Sequence, residues 1–128
     1  MATWQARRQA AQGFWDAAEL IHDGRHVTQA AANAILAVIA ANDAICMKLG
    51  RPQPRNQSHV EAARDLRAAC RGTAFEQEAA DRSRQLAEIL RHKSAAQYNS
   101  SPLTAEVVER IMTQARRFIT WAETVLAP

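Results

Sequence analysis

The side chains best suited to chemistry in this chain lie in a short basic cluster, Arg91, His92 and Lys93, which is followed by Tyr98. An arginine can hold a phosphate group, and a histidine can transfer a proton near neutral pH. Lys93 also continues the helical stripe that carries Leu86, so it is predicted to point toward the interior. A lysine in that position needs a polar partner.

The best partner for Lys93 lies in an alanine-rich stretch, residues 34–46, where Asn42 and Asp43 interrupt an otherwise apolar helix. We expect Asp43 and Lys93 to form an ion pair between two helices, because an unpaired buried charge is costly. Such pairs are structural at least as often as they are catalytic. Asn42 is predicted to form hydrogen bonds in the core or across a symmetric interface. Asn42, Asp43 and Lys93 together are the predicted polar patch.

The composition is that of one ordered globular domain. The chain has 128 residues, enough to bury a core without disulfides, and its 48% hydrophobic and 23% charged residues are ordinary for a soluble protein. We therefore expect residues 1–128 to form a single domain. The net charge of +3 arises from sixteen basic and thirteen acidic residues without a run of like charges. Charge alone therefore does not indicate a nucleic-acid surface.

The two cysteines, Cys46 and Cys70, lie in apolar helical patterns and lack the spacing of metal ligands. They are predicted to be small buried thiols in a reducing compartment, and no metal or cofactor is expected. The N-terminal residues show no signal-peptide pattern, and no uninterrupted apolar run approaches the length of a membrane span. The sequence predicts a cytoplasmic protein that does not contact a membrane.

Glycine and proline residues fall between the periodic stretches and divide the chain into five helical segments. The sequence therefore predicts an all-α fold, an antiparallel four- to five-helix bundle. The first helix is expected over about residues 3–22 and the second over about residues 28–49. The fourth is expected to continue without a break to about Gln97.

Residues that cap helices mark the start of the last three helices. Ser58 and Glu61 have capping-box spacing before the third helix, and Thr73 and Glu76 repeat it before the fourth. Thr104 can cap the last helix. Steps of three and four residues predict the buried stripe of that helix, with three arginines outside it: Val108, Ile111, Ala115, Phe118, Ala122 and Val125 inside, and Arg110, Arg116 and Arg117 exposed.

The second helix has apolar residues on two faces, which is more than the interior of one bundle requires. Unpartnered apolar faces normally seek a partner, so we expect a homodimer. One face carries Ile35, Val38 and Ile45, and the other carries Leu36, Ile39 and Cys46.

The order of these elements is similar to that of a known superfamily. An alanine-rich helix with an acid in its middle, a connecting helix that begins near His59, the segment from Arg91 to Tyr98 and a final amphipathic helix resemble the HEPN superfamily. The resemblance covers roughly residues 10–126. It implies a four- or five-helix bundle that dimerises. It also implies a place among metal-independent ribonuclease toxins, partners of small nucleotidyltransferases, or inactive interaction modules.

The catalytic motif of that superfamily is incomplete here. Its ribonuclease members carry an arginine, four to six residues and then a histidine, and one toxin branch adds a tyrosine two residues after the histidine. Arg91 and Tyr98 match the ends of the longer pattern, but Ala96 or Gln97 occupies the place of the histidine. Neither side chain can transfer a proton near neutral pH. His92 is not expected to replace it, because adjacent helical residues diverge by about 100°.

The resemblance therefore implies a catalytically degenerate interaction module of a prokaryotic toxin–antitoxin or defence-type system. Its partner would be a nucleotidyltransferase or an antitoxin, with RNA as a second ligand. The alternative is a metal-independent endoribonuclease that combines Arg91 with His59 or with a histidine of a second subunit. Otherwise, His59 is expected to be exposed at a helix start and Tyr98 to close a helix end with its ring.

A third function class is a nucleic-acid-binding module. It would use Arg51, Arg55, Arg91 and Lys93 around a groove, and its affinity would fall steeply as the salt concentration rises. Histidines 22 and 26 are expected to be surface residues. Tryptophans 4 and 15 are expected to anchor the core or an interface.

Overall fold

The computed structural model describes residues 3–22, 27–51, 58–98 and 103–128. Helices joined by short turns make up these residues, and none of them belongs to a strand. The predicted all-α bundle is therefore confirmed. The helices are α1 (Trp4–His22), α2 (Val27–Lys48), α3 (His59–Cys70), α4 (Glu76–Leu90), α5 (Lys93–Tyr98) and α6 (Ala105–Leu126).

The alanine-rich helix α2 forms the centre of the bundle. Helix α1 packs along it, and α3, α4, α5 and α6 also contact it. The alanines allow these neighbours to approach closely. Ile35 and Cys46, which lie on the two apolar faces of α2, are both fully buried by helices of this same chain. Leu36 and Ile39, on the second face, are only half-buried, so this chain covers only part of the apolar surface that predicted a homodimer, and the homodimer stays a prediction.

Helix α2 is also the one described helix that is long and apolar enough to span a membrane. Within the bundle, 67% of its most apolar window is buried. A core helix of a soluble protein has the same properties, because a helix that is hydrophobic on all sides is also found at the centre of a large core.

Helix α6 confirms the prediction made from its sequence. The hydroxyl of Thr104 accepts a hydrogen bond from the backbone N–H of Val107 at 3.1 Å and caps the helix. The six residues of the predicted stripe are all buried, and the three arginines outside the stripe are exposed.

An ion pair and a histidine–carboxylate contact connect α1 and α6, which run antiparallel to each other. Near one end, Nε of Arg8 donates to Glu123 Oε2 at 2.9 Å. Near the other end, His22 Nε2 lies 2.5 Å from Glu109 Oε1. His22 was expected to be a surface residue and is half-buried. Its carboxylate partner lies on a distant helix, a pairing that local sequence does not reveal. His26 lies outside the described residues.

Lys48, at the end of α2, contacts the start of α1 and the end of α6. Its Nζ donates to the backbone carbonyls of Val125 and Ala127 at 3.0 Å each, at the C-terminal end of α6. The same ammonium group lies 5.0 Å from the centre of the Trp4 ring, at the start of α1. A cation is favourable at a helix C-terminus and over an aromatic face, so this contact closes the bundle at that end.

The helical hairpin of α3 and α4 begins as predicted and then departs from the prediction. Ser58 and Glu61 form the expected capping box on α3. On α4, however, Phe75 is the N-cap and no side chain caps it. The Thr73 hydroxyl instead accepts from the N–H of Phe75, and Glu76 accepts from the N–H of Gly72. These two side chains stabilise the turn before the helix, where Gly72 has a positive φ.

Candidate functional site

The basic cluster of Arg91, His92 and Lys93 lies at a break between two helices. Helix α4 ends at Leu90, and α5 begins at Lys93, so the uninterrupted helix predicted to reach Gln97 is wrong. The N–H of Arg91 still donates to the carbonyl of Ala87 at 3.0 Å, and the chain then turns. This turn brings α5 against α2, where Ala96 is buried.

Within this turn Arg91 and His92 have different surroundings. Arg91 is exposed and forms an ion pair with Glu88 at 3.1 Å, one turn earlier on α4. His92 is half-buried, and its pKa is lowered by burial and by the positive charges of Arg91 and Arg110. The imidazole is therefore neutral at neutral pH. His92 lies in the turn, outside both helices.

The predicted polar patch is not assembled. Asp43 forms its ion pair with Arg7 of α1, at 3.5 Å, and Lys93 is exposed at the start of α5. The predicted pair of Asp43 and Lys93 is therefore wrong, because the helix break removes Lys93 from the apolar stripe. Burial raises the pKa of Asp43, and the charge of Arg7 offsets part of that rise.

Asn42 and the two cysteine thiols lie in the core. Asn42 is buried, and its side-chain oxygen accepts from the Cys46 thiol at 3.8 Å. Cys46 and Cys70 are both free and buried, as predicted. Burial raises the pKa of both thiols, that of Cys70 to about 11. Neither thiol is activated for nucleophilic chemistry, since the thiolate is the reactive form.

The other predicted site residues are dispersed. Arg51 follows α2 and forms an ion pair with Asp65 of α3 at 3.1 Å. His59 is exposed at the first position of α3, as expected. Tyr98 ends α5, but its side chain lies outside the described part of the chain, as does all of Arg55.

A groove between α3 and α4 contains the basic surface that sequence reasoning missed. We call it the arginine groove, and its volume is about 440 Å³. Arg64, Arg67 and Arg71 line it from α3, and Arg84 faces them from α4. The other residues that line it are Val60 and Ala63 on α3 and Ala80, Ser83 and Ala87 on α4.

The described residues that line the arginine groove carry positive charge and include no acidic side chain. Arg84 is paired with Asp81 on its own helix. Arg64, Arg67 and Arg71 form no ion pair or hydrogen bond with any residue in the described ranges. The Ser83 hydroxyl at the floor is buried and also has no partner there. Unpaired guanidinium groups on one face favour an anionic ligand.

A signal for this groove is present in the sequence. Arg64, Arg67 and Arg71 are spaced at three and four residues, so they share one face of α3. That face lies beside the buried stripe, to which Ala62 and Leu66 belong. Each arginine alone is consistent with a solvated helix surface, so the pattern is visible only when the three are taken together.

The described residues contain no group of three or more histidine, cysteine, aspartate or glutamate side chains placed to hold a metal ion. No protein-family model, curated protein or solved structure matches the chain. The resemblance to the HEPN superfamily therefore rests on the sequence features described above.

Proposed function

We propose that this protein is a HEPN-like interaction module without its own catalytic activity. It acts in the cytoplasm, in a prokaryotic toxin–antitoxin or defence-type system, by binding a protein partner such as a nucleotidyltransferase or an antitoxin. RNA is its second candidate ligand. The observation that carries the proposal is the arginine groove, where three unpaired guanidinium groups face solvent beside an apolar floor.

The α4–α5 turn supports the absence of catalysis. Cleavage of RNA needs a base for the attacking hydroxyl and a positive group for the phosphate. Arg91 can supply the second, but the position expected to carry the base is Ala96, a buried methyl group packed near α2. Losing assistance from a general base typically lowers a rate by about 10²- to 10⁴-fold.

Coexpression with the proteins encoded beside this chain, followed by size-exclusion chromatography, tests the partner. We expect one of them to elute as a stable complex with the chain. If every neighbouring protein elutes separately, the interaction function is wrong.

One observation favours a second candidate function, a metal-independent ribonuclease. His92 lies in the same turn as Arg91, and its lowered pKa leaves the imidazole able to accept a proton. In this version Arg91 holds the phosphate and His92 serves as the base. His59 and a histidine of a second subunit remain the other candidates for the base.

Incubation of the purified protein with total RNA in the presence of a chelator separates the two functions. The interaction module predicts no cleavage above the level of an Arg91→Ala control. Cleavage that disappears in Arg91→Ala and His92→Ala, but persists in His59→Ala, would establish the ribonuclease with His92 as its base. Cleavage lost only with Arg91→Ala and His59→Ala would assign the base to α3 instead.

A further inference from the structure

We propose that the arginine groove is the docking site for an acidic amphipathic helix of a partner protein. The inference rests on the proposed function, since an interaction module needs a surface that selects its partner. It adds the location of that surface and the chemistry of the segment that occupies it.

The shape of the arginine groove suits a helix. Its lining extends along α3 from Val60 to Arg71, which corresponds to a length of about 16 Å, or three helical turns. The opposite faces of the hairpin, with Leu66 on α3 and Leu86 on α4, are buried in the bundle. The groove therefore lies on the outer side of the hairpin, and a guest helix can lie there without displacing any of the described helices.

The spacing of charge along the groove matches a helical guest. Arg64, Arg67 and Arg71 recur about once per turn of α3. A partner helix with one glutamate or aspartate per turn repeats at the same interval. Each carboxylate can then accept from one guanidinium group, as flanking charges do between paired helices.

The floor of the arginine groove provides apolar contact. Ala63, Ala80 and Ala87 have small side chains, which allow the backbone of a guest helix to approach closely. Val60, at one end, is 58% exposed and is one of two large apolar residues so exposed in the described part of the chain. An apolar floor with charged walls is the arrangement that receives an amphipathic helix.

The same lining disfavours a nucleic-acid strand. None of the described residues that line the arginine groove is aromatic, so unstacked bases have no surface there on which to stack. A phosphodiester backbone also gains nothing from contact with the alanines or with Val60. The arginines alone could bind either a nucleic acid or an acidic helix, but the apolar floor favours the helix.

A binding experiment with defined probes tests the proposal. The probes are a fluorescein-labelled helical peptide with glutamates once per turn beside a leucine and alanine stripe, the same peptide with glutamine at those positions, and labelled oligouridine RNA. Fluorescence anisotropy at about 0.15 M salt, where exposed charges are well screened, measures affinity. We expect the glutamate peptide to bind at least tenfold more tightly than the glutamine peptide or the RNA.

Two kinds of variant locate the binding. Arg64→Ala combined with Arg67→Ala should weaken the glutamate peptide about tenfold, the effect of two exposed ion pairs near the upper end of their range. Arg110→Ala combined with Arg117→Ala removes the same charge from exposed positions of α6 and should leave the affinity unchanged. Ala80→Trp keeps every charge but fills the floor, and it should weaken the peptide at least as much as the arginine double variant.

Circular dichroism checks that each variant folds, and Ala87→Gln replaces Ala80→Trp if the tryptophan prevents folding. Equal losses in the two arginine double variants would overturn the proposal, as would an affinity that survives filling of the floor. Tighter binding of RNA that depends on Arg64 and Arg67 would assign the groove to nucleic acid. A coexpressed partner that binds the groove variants normally would leave the interaction function intact and refute only the docking site.

Discussion

Replacing Lys48 with methionine tests how the bundle is closed. The substitution Lys48→Met retains an unbranched side chain and removes the ammonium group that donates to the carbonyls of Val125 and Ala127 at 3.0 Å each. It also removes the cation 5.0 Å from the centre of the Trp4 ring. The substitution therefore removes the contacts that Lys48 makes from the end of α2 to the start of α1 and the end of α6.

The expected cost follows from these contacts. A hydrogen bond from a charged group contributes about 1.5–3 kcal/mol, and an exposed cation–π contact contributes about 0.5–1 kcal/mol. Lys48 is only partly buried, and the contacts share one ammonium group, so we expect a loss of about 2 kcal/mol rather than their sum. For a domain of this size the unfolding entropy converts that loss to a fall in Tm of about 7 °C.

Thermal and urea unfolding, followed by circular dichroism, measure this loss. Lys93→Met is the matched control, because Lys93 is exposed and has no ion pair with a described residue. We expect the control to remain within about 0.5 kcal/mol of the wild-type protein. If Lys48→Met and Lys93→Met are equally stable, the contacts of Lys48 with α1 and α6 do not stabilise the bundle.

Four further results are expected. A double-mutant cycle on Arg7→Ala and Asp43→Ala should give a coupling energy of about 1 kcal/mol, because the pair is only half-buried, whereas a cycle on Asp43 and Lys93 should give zero. The raised pKa of folded Asp43 means that its contribution to stability is lost as the pH rises from 3.8, its unfolded value, through the folded pKa. Asp43→Asn should lack that loss in pH-dependent urea unfolding, and an unchanged profile would contradict the assigned cause. Cys46 and Cys70 should resist a thiol reagent at pH 8 until the protein is unfolded, since burial disfavours both thiolates; rapid modification of the native protein would show that they are accessible. Sedimentation equilibrium at micromolar concentration should show the predicted homodimer, and a monomer would contradict that prediction.

The sequence predicts those parts of the fold that depend on residues close together in the chain. The cap at Thr104 and the capping box of Ser58 and Glu61 involve partners three residues apart, and both are confirmed. The break after Leu90 was missed because no glycine or proline marks it. Its cause is tertiary, since the turn lets α5 pack against α2.

The candidate site is less predictable than the fold for the same reason. The pairing of Asp43 with Arg7 depends on which helix lies beside α2, and no local pattern in the sequence gives that neighbour. The arginine groove needs both the spacing of Arg64 and Arg67 and the antiparallel approach of α4. The first of these can be read from the sequence, but the second becomes visible only in the folded chain.

The alanines at the centre of α2 determine which sequence changes this fold can absorb. Ala30, Ala34, Ala37 and Ala44 are completely buried, and each fills its site with a single methyl group. Removing one of these methyl groups leaves almost no cavity. Adding methylene groups at the same positions typically costs about 1–3 kcal/mol through overpacking. Evolutionary drift in α2 is therefore limited mainly by an upper bound on side-chain volume. The exposed arginines of α3 are under no such steric limit, so the outer face of the hairpin can change its charge while the centre of the bundle stays fixed.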